Sequence, residues 1–245
     1  MNALSTVMYA EIHKHGKIHT QEFKRGIPQG DMQIIGDTDK NGSIISFIPD
    51  DTIFDTVEYS YNIIATRLRH AAYLTPGVSF TFIDETSGKQ ERFYFEGGIK
   101  TWLMNLAGTQ KKLSEQFFID REGKDCWAEI SFQFVDSTND NIMSFVNNIT
   151  TKDGGMHVLG FKDALLKVIN EVAQAEGEID KKIGEFQISD ITDGLYAIVT
   201  VKIPEPQFEG QTKGRLGNSY VRKEVSKIVY EYLSEYFKEN TDVIK

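Results

Sequence analysis

An apolar, β-rich run from Leu195 to Ile203 meets Pro204-Glu205-Pro206 and has to end there. Two prolines fix φ and withhold two backbone N–H groups, so no strand continues through them. The next residues, Gln207-Phe208-Glu209-Gly210-Gln211-Thr212-Lys213-Gly214-Arg215-Leu216-Gly217-Asn218, form a loop that is stiff at its start and freed for tight bends at its three glycines. Gln211 and Lys213 present an amide donor and a fixed positive charge two residues apart. A glycine-flanked Gln-x-Lys suits an anionic oxygen such as a terminal phosphate. The same residues also suit a solvated turn.

The 245 residues leave room for one large domain or two modest ones, and 40% hydrophobic with 11% aromatic content can build real cores. No run approaches the roughly 18 uninterrupted apolar residues of a membrane span, and the first residues lack the charged and apolar regions of a signal peptide. A membrane or secreted location therefore has no support. Cys126 is the single cysteine, which rules out an internal disulfide and makes a reducing cytoplasm the expected setting. The net charge of -9, from 27 basic and 36 acidic residues, argues against a general polyanion binder while leaving a local basic face open.

Residues 1–48 read as strands and tight turns: Thr6 to His13, Lys17 to Phe23, Met32 to Ile35 and Ser43 to Ile48, with Gly16 and Asn41-Gly42 at turn positions. Met1-Asn2-Ala3-Leu4-Ser5 reads as the end of a helix. His13 and His15 are placed on one strand face with His19 beyond the turn, a spacing that could hold a metal, but no thiolate or carboxylate cluster accompanies them. Asp37 and Asp39 mimic a magnesium-binding Asp-x-Asp pair, yet their turn-forming neighbours make a solvated hairpin the better account. No metal site is expected in the chain.

Pro49-Asp50-Asp51-Thr52 interrupts the strand pattern and marks the expected boundary between a first domain, 1–48, and a second, 49–245. Beyond it, the spacing predicts a helix from near Tyr59, a hairpin around Ser87-Gly88, a short helix from Gly98 to Leu106, and strands at Phe117, Trp127 to Val135 and Ile142 to Ile149. Gly154-Gly155 precedes a helix whose buried face is Phe161, Ala164, Leu165, Val168, Ile169 and Val172. His157, at its start, is expected to cap or pack rather than to catalyse, because no nucleophile lies near it in sequence. A last helix carries Val221, Val225, Ile228, Val229, Tyr232, Leu233 and Phe237 at helical spacing. The order of elements after residue 50 is that of an α+β fold.

Pro-x-Pro-x-Phe-x-Gly-Gln-Thr-Lys, followed by Leu216-Gly217-Asn218-Ser219, resembles the switch-lysine loop in the transducer domain of the DNA gyrase B subunit and its topoisomerase IV counterpart. Phe95-Glu96-Gly97-Gly98-Ile99, Ser144-Phe145-Val146-Asn147-Asn148-Ile149 and Gly154-Gly155-Met156-His157, then Gly160-Phe161-Lys162, are similar to other signature runs of that family. In order and spacing they cover nearly the whole chain. The resemblance implies that residues 1–48 are the C-terminal part of a Bergerat (GHKL) ATPase sheet and 49–245 a ribosomal-protein-S5-like transducer with a left-handed βαβ crossover.

It also implies roles. Lys213 would meet the γ-phosphate of ATP and Gln211 would add a second donor, while Gly42 and Ser43 would stand beside the adenine with Ile45 in the apolar wall. Asn41-Gly42 remains open as a type I′ hairpin turn. Lys14 stands where many relatives carry an arginine at the pocket rim, and a lysine cannot reproduce a planar bidentate fork, so aminocoumarin-type inhibitors are expected to bind poorly. In the intact protein the implied cofactors are ATP and Mg2+, and neither is expected to bind the isolated chain tightly. The implied partners are a second B subunit, the topoisomerase A subunit and double-stranded DNA.

The family's glutamate base, magnesium-binding asparagine, adenine-binding aspartate and glycine-rich lid precede the Asn-Ala-Leu-Ser point, and its TOPRIM metal site lies beyond the last helix. The chain is accordingly expected to be a fragment truncated at both ends, an inactive piece of an ATP-hydrolysing topoisomerase, with an unpaired sheet edge in residues 1–48. Two other readings compete: another ATPase of the same superfamily, and a free-standing nucleic-acid module whose phosphate contacts would come from Arg67, Arg69, Lys111, Lys112, Arg215, Arg222 and Lys223.

Overall fold

A computed structural model describes residues 1–177 and 184–240. The chain forms two compact units, 1–64 and 65–245.

In the first unit a single 3-10 turn, Asn2–Leu4, leads into β1 (Ser5–Lys14), which folds back on β2 (Lys17–Lys24) through a two-residue turn. His15 and Gly16 make that turn, both with positive φ (52° and 76°), as a right-twisted hairpin requires. His15 therefore leaves the strand and does not share a face with His13. β3 (Ile27–Pro28) and β4 (Gln33–Asp37) both pair with β2, and β5 (Gly42–Pro49) pairs with β1. The order is β3-β2-β1-β5, so β4 and β5 are not neighbours. Asn41-Gly42 is thus no hairpin turn; the chain crosses from the far edge of β2 to the far edge of β1, and Gly42 opens β5 opposite His13. β5 is an edge strand, and Ile44, Ile45, Phe47 and Ile48 on its two faces are all exposed.

β5 ends at Pro49, and the residues after it are anchored. Asp50 is only 1% exposed, its N–H donates to Leu4 O (3.1 Å), and its carboxylate accepts from Arg25 Nε (2.7 Å) and from Thr52. α1 (Tyr61–Leu74) begins in the first unit and ends in the second.

In the second unit β6 (Phe80–Asp84) and β7 (Lys89–Phe93) form a hairpin, followed by α2 (Gly98–Ala107). The main sheet is built from β8 (Phe117–Glu122), β9 (Trp127–Phe134), β10 (Asn141–Val146), β11 (Ile149–Thr150) and β12 (Leu195–Lys202), in the order β11-β10-β12-β9-β8. Among the described strands of this sheet only β10 and β12 run parallel, and their connection includes α3 (Met156–Glu176) and α4 (Ile188–Thr192). The expected single strand from Ile142 to Ile149 is broken: Asn147 and Asn148 adopt φ of 48° and 64° and turn the chain back as β11.

Alternation along these strands divides their side chains between two cores. Phe132, Ile130, Val199, Ala197 and Val146 face α3 and α5 (Ser219–Glu239), whose stripes are Phe161, Leu165, Val168 and Val221, Val225, Val229. Ile198 and Phe145 face the other way, against Ile99, Trp102 and Leu103 of α2 and Tyr73 and Leu74 of α1. α3 and α5 meet closely at Gly160, where any Cβ would strike the carbonyl oxygen of Arg222. The architecture is α+β, as the element order predicts. Among the described residues no helix is long and apolar enough to cross a membrane.

Candidate functional site: a lysine at the tip of a fastened hairpin

The prolines end β12, and the chain then makes an ordered hairpin. β13 (Phe208–Glu209) pairs antiparallel with β14 (Arg215–Leu216), leaving Gly210 to Gly214 as the tip. Gly210 has φ 73° and the Lys213 N–H reaches back to Gly210 O (3.4 Å). Lys213 itself has φ 55°, a left-handed conformation that costs a non-glycine residue about 1 kcal/mol. Gln211, Thr212 and Lys213 are exposed. The Lys213 ammonium lies 5.8 Å from the Phe208 ring centroid, at the outer range of a cation–π contact. Arg215, two residues on, is taken by Glu209 (3.4 Å), whereas among the described residues no carboxylate pairs with Lys213. Its charge is available to an outside anion.

The base of the hairpin is held on two sides. Gly217 N–H donates to Gln207 O (2.8 Å), Gln207 N–H to Asn218 Oδ1 (2.6 Å), and Asn218 Nδ2 to Glu205 O (3.1 Å). Asn218 occupies the N-cap of α5 yet makes no capping bond, because its buried side chain is committed to the loop. On the other side Asp153 N–H donates to Gly214 O (2.9 Å) and Leu216 N–H to Gly154 O (3.1 Å). Beneath this seam His157 is fully buried with Nε2 3.3 Å from Thr151 Oγ1, which in turn meets Ser144 Oγ at 2.7 Å. Burial pushes the imidazole down to about 4, so it is neutral at physiological pH and packs in the first turn of α3.

The other predicted site residues lie in the first unit. Ser43 stands opposite Ile12 and Ile45 opposite Ala10, which puts both on the same sheet face as Lys14 at the end of β1. Gly42, beside them, stands opposite His13. All four are exposed. His13 is engaged by Glu11 (2.8 Å) and Thr38 (2.9 Å), and Asp37 by Lys17. Among the described residues no three His, Cys, Asp or Glu side chains come together to hold a metal.

Of the basic residues available for phosphate contacts, Arg69 is paired with Glu91 (3.3 Å) and lies over the Phe93 ring. Lys111 lies 4.0 Å from Asp136, and Arg222 grips Asp163 through two bonds (2.6 and 3.0 Å). With Arg215, four of the seven are matched by carboxylates, which weakens the case for a continuous cationic face.

Three side chains that bear on the hairpin lie inside the family-like runs but carry no role there. Phe208 lies under the ammonium, and Asn218 and Asn147 hold the loop's root. Asn147 sits in an Asn-Asn pair at the end of a β-rich run, and that pair is itself a turn signal because asparagine tolerates positive φ.

The fold resembles the 43K ATPase domain of Thermus thermophilus gyrase B, solved in complex with an aminocoumarin: TM-score 0.83, 34% identity, covering 99% of this chain and 66% of that one. It also resembles the topoisomerase IV ATP-binding domain of Francisella tularensis in complex with a small-molecule inhibitor: TM-score 0.85, 28% identity, 99% and 67% covered. The fold class is thus the one shared by these solved gyrase B and topoisomerase IV structures. The DNA gyrase B family model matches residues 98–245, and the chain belongs to the DNA gyrase B family. Among curated relatives, the DNA gyrase B protein of Campylobacter jejuni is 42% identical over 240 residues, which make up 98% of this chain and 31% of that protein. The chain therefore spans about a third of that relative's length.

Proposed function

We propose that this chain is the ATP-sensing portion of a gyrase-type B subunit, with residues 1–48 the last part of a GHKL ATPase sheet and 49–245 the transducer that couples ATP binding and hydrolysis to DNA clamp closure and strand passage. One observation carries the reading: Lys213 is held in a left-handed conformation at the exposed tip of a fastened hairpin, with no carboxylate among the described residues neutralising it. A lysine so placed stabilises charge on a terminal phosphoryl group and on the transition state of its transfer, and Gln211 adds an amide donor to the same oxygens. Loss of that phosphoryl group removes the anion that holds the tip, while the base of the hairpin stays fixed. Binding thereby becomes a movement of the tip.

In the first unit Ser43 keeps a hydroxyl for the adenine side, Gly42 leaves room for close approach, Ile45 supplies an apolar wall and Lys14 a cation at the rim. Mg2+ would accompany the nucleotide. The partners in this reading are a second B subunit, recruited on ATP binding, the topoisomerase A subunit and double-stranded DNA, in the cytoplasm.

Lys213→Ala in the full-length subunit tests the reading. ATP binding should persist while turnover falls about 100-fold, the usual loss when one donor to a developing anion is removed. Unchanged turnover overturns it.

A further inference from the structure

β10 and β12 run parallel with Val146 opposite Val201, and β10 stops there because the chain turns away at Asn147-Asn148. Ile203, just past the end of β12 and only 4% exposed, would then have no strand beside it. Asn147 takes the missing partner's place. Its backbone N–H donates to Val201 O (2.9 Å), its Oδ1 accepts from Ile203 N–H (3.0 Å), and its Nδ2 donates to Ile203 O (2.9 Å). A carboxamide carries one acceptor and a donor in the plane of a peptide group, so the side chain extends the sheet by one residue at the point where Pro204 would otherwise begin to fray it.

The same stretch continues under the hairpin. Six residues on, Asp153 N–H holds Gly214 O, and Gly154 O holds Leu216 N–H. One short segment, Asn147 to Gly155, thus grips the lysine loop at its root and again just beyond its tip. Only Gly210 to Lys213 is left to move.

We propose that Asn147 is a positioning residue for Lys213: its carboxamide locks Ile203 and so fixes the root from which the lysine loop springs. The proposal rests on the reading of Lys213 above, and it says where the moving part begins. With the root locked, a bound phosphate shifts the tip; with it released, the same contact is spent on rearranging ten residues of backbone and Lys213 no longer reaches a set place.

Asn147→Gly separates this role from simple folding. Glycine suits the positive φ of the Asn147-Asn148 turn, so the β10–β11 hairpin is kept while the carboxamide is lost. In the full-length subunit the variant should unfold within about 3 °C of the wild type and bind a non-hydrolysable ATP analogue with unchanged affinity. Its turnover at saturating ATP should fall about tenfold, the scale of a lost positioning contact. Without nucleotide, trypsin should cut after Lys213 several times faster, a readout that does not depend on what Lys213 does. Asn147→Asp, which keeps the acceptor for Ile203 N–H and loses the donor, should fall between the two and serves if the glycine variant fails to fold. Wild-type cleavage and wild-type turnover in both variants overturn the role of Asn147. Unchanged turnover in Lys213→Ala with faster cleavage in Asn147→Gly instead overturns the phosphate reading and leaves the clamp standing.

Discussion

Gly155 and Leu216 touch backbone to backbone: a Cβ built on Gly155 would stand 2.6 Å from the Leu216 carbonyl oxygen and 2.8 Å from its Cα, closer than real Cβ atoms come. The two residues form a parallel bridge, and Gly155 holds φ 135° to make it. This is where the lysine hairpin is seated on the segment that precedes α3. Gly155→Ala must either push β14 away or move the start of α3, and it adds the strain of a side chain at positive φ. We expect a destabilisation of roughly 2–4 kcal/mol, as for other substitutions that force a special backbone position. Urea unfolding measures it. A variant as stable as the wild type would mean that the seam is looser than the geometry says.

Asp50 should set the acid limit of the first unit. Arg25, bonded at 2.7 Å, and Thr52, bonded through its hydroxyl and its N–H, hold the carboxyl down at about 2. A carboxyl depressed in the folded state stabilises it fully above the unfolded value near 4, and this contribution disappears as pH falls towards about 2. Asp50→Asn should therefore unfold at a lower temperature than the wild type at pH 7, with the gap narrowing below about pH 4. Thermal melts followed by circular dichroism across that range decide it; a gap that stays constant with pH removes the ionic part of the anchor.

His157 acts in a different window. Its Nδ1 has no hydrogen-bond partner among the described residues, and burial keeps the imidazole neutral down to about 4. Between about pH 6.5 and about 4 the unfolded chain binds a proton that the folded chain refuses, so stability falls with decreasing pH by up to about 1.4 kcal/mol per unit. His157→Gln, which still reaches Thr151 but cannot titrate, should flatten that slope and leave stability at pH 7.5 little changed. Denaturant midpoints at pH 7.5 and 4.5 for both proteins give the comparison. Equal slopes would place the proton uptake elsewhere.

These positions also show what the sequence could and could not reveal. The helical stripes of α3 and α5, the turn at Gly16 and the loop after the two prolines are local patterns, and the structure has them where residue spacing puts them. Asn41-Gly42 has the local chemistry of a hairpin turn, yet β5 pairs with β1 instead of β4, because sheet order is settled by strand-long ladders, such as the one from Val7 opposite Ile48 to His13 opposite Gly42, and not by a dipeptide. Asp50 looks like part of a linker, since nothing in Pro-Asp-Asp-Thr says that Arg25 will reach it from 25 residues away. The roles of Asn147 and Asn218 are hidden for the same reason: their partners, Ile203, Glu205 and Gln207, are backbone groups distant in sequence, and backbone carries no residue signature. The exposed loop position of Lys213 was legible because the prolines and glycines that set it are its neighbours in the chain.

Lys14 offers the last test, at the rim of the proposed nucleotide pocket. It closes β1 on the face that carries Ser43 and Ile45, across from Lys17, and is exposed. An ammonium on a flexible stem offers a point charge, while a guanidinium offers a planar fork that can hold two acceptors at once. The solved Thermus thermophilus gyrase B structure was captured with an aminocoumarin. Lys14→Arg in the full-length subunit should tighten aminocoumarin binding about tenfold, the equivalent of one added charge-assisted hydrogen bond at about 1.4 kcal/mol. ATP affinity should stay within about twofold, because an exposed cation meets solvent and is screened. Isothermal titration of both ligands against both proteins separates the outcomes. Equal aminocoumarin affinity would place Lys14 outside the pocket, and a parallel gain for ATP would make it a general anion contact instead of a selector.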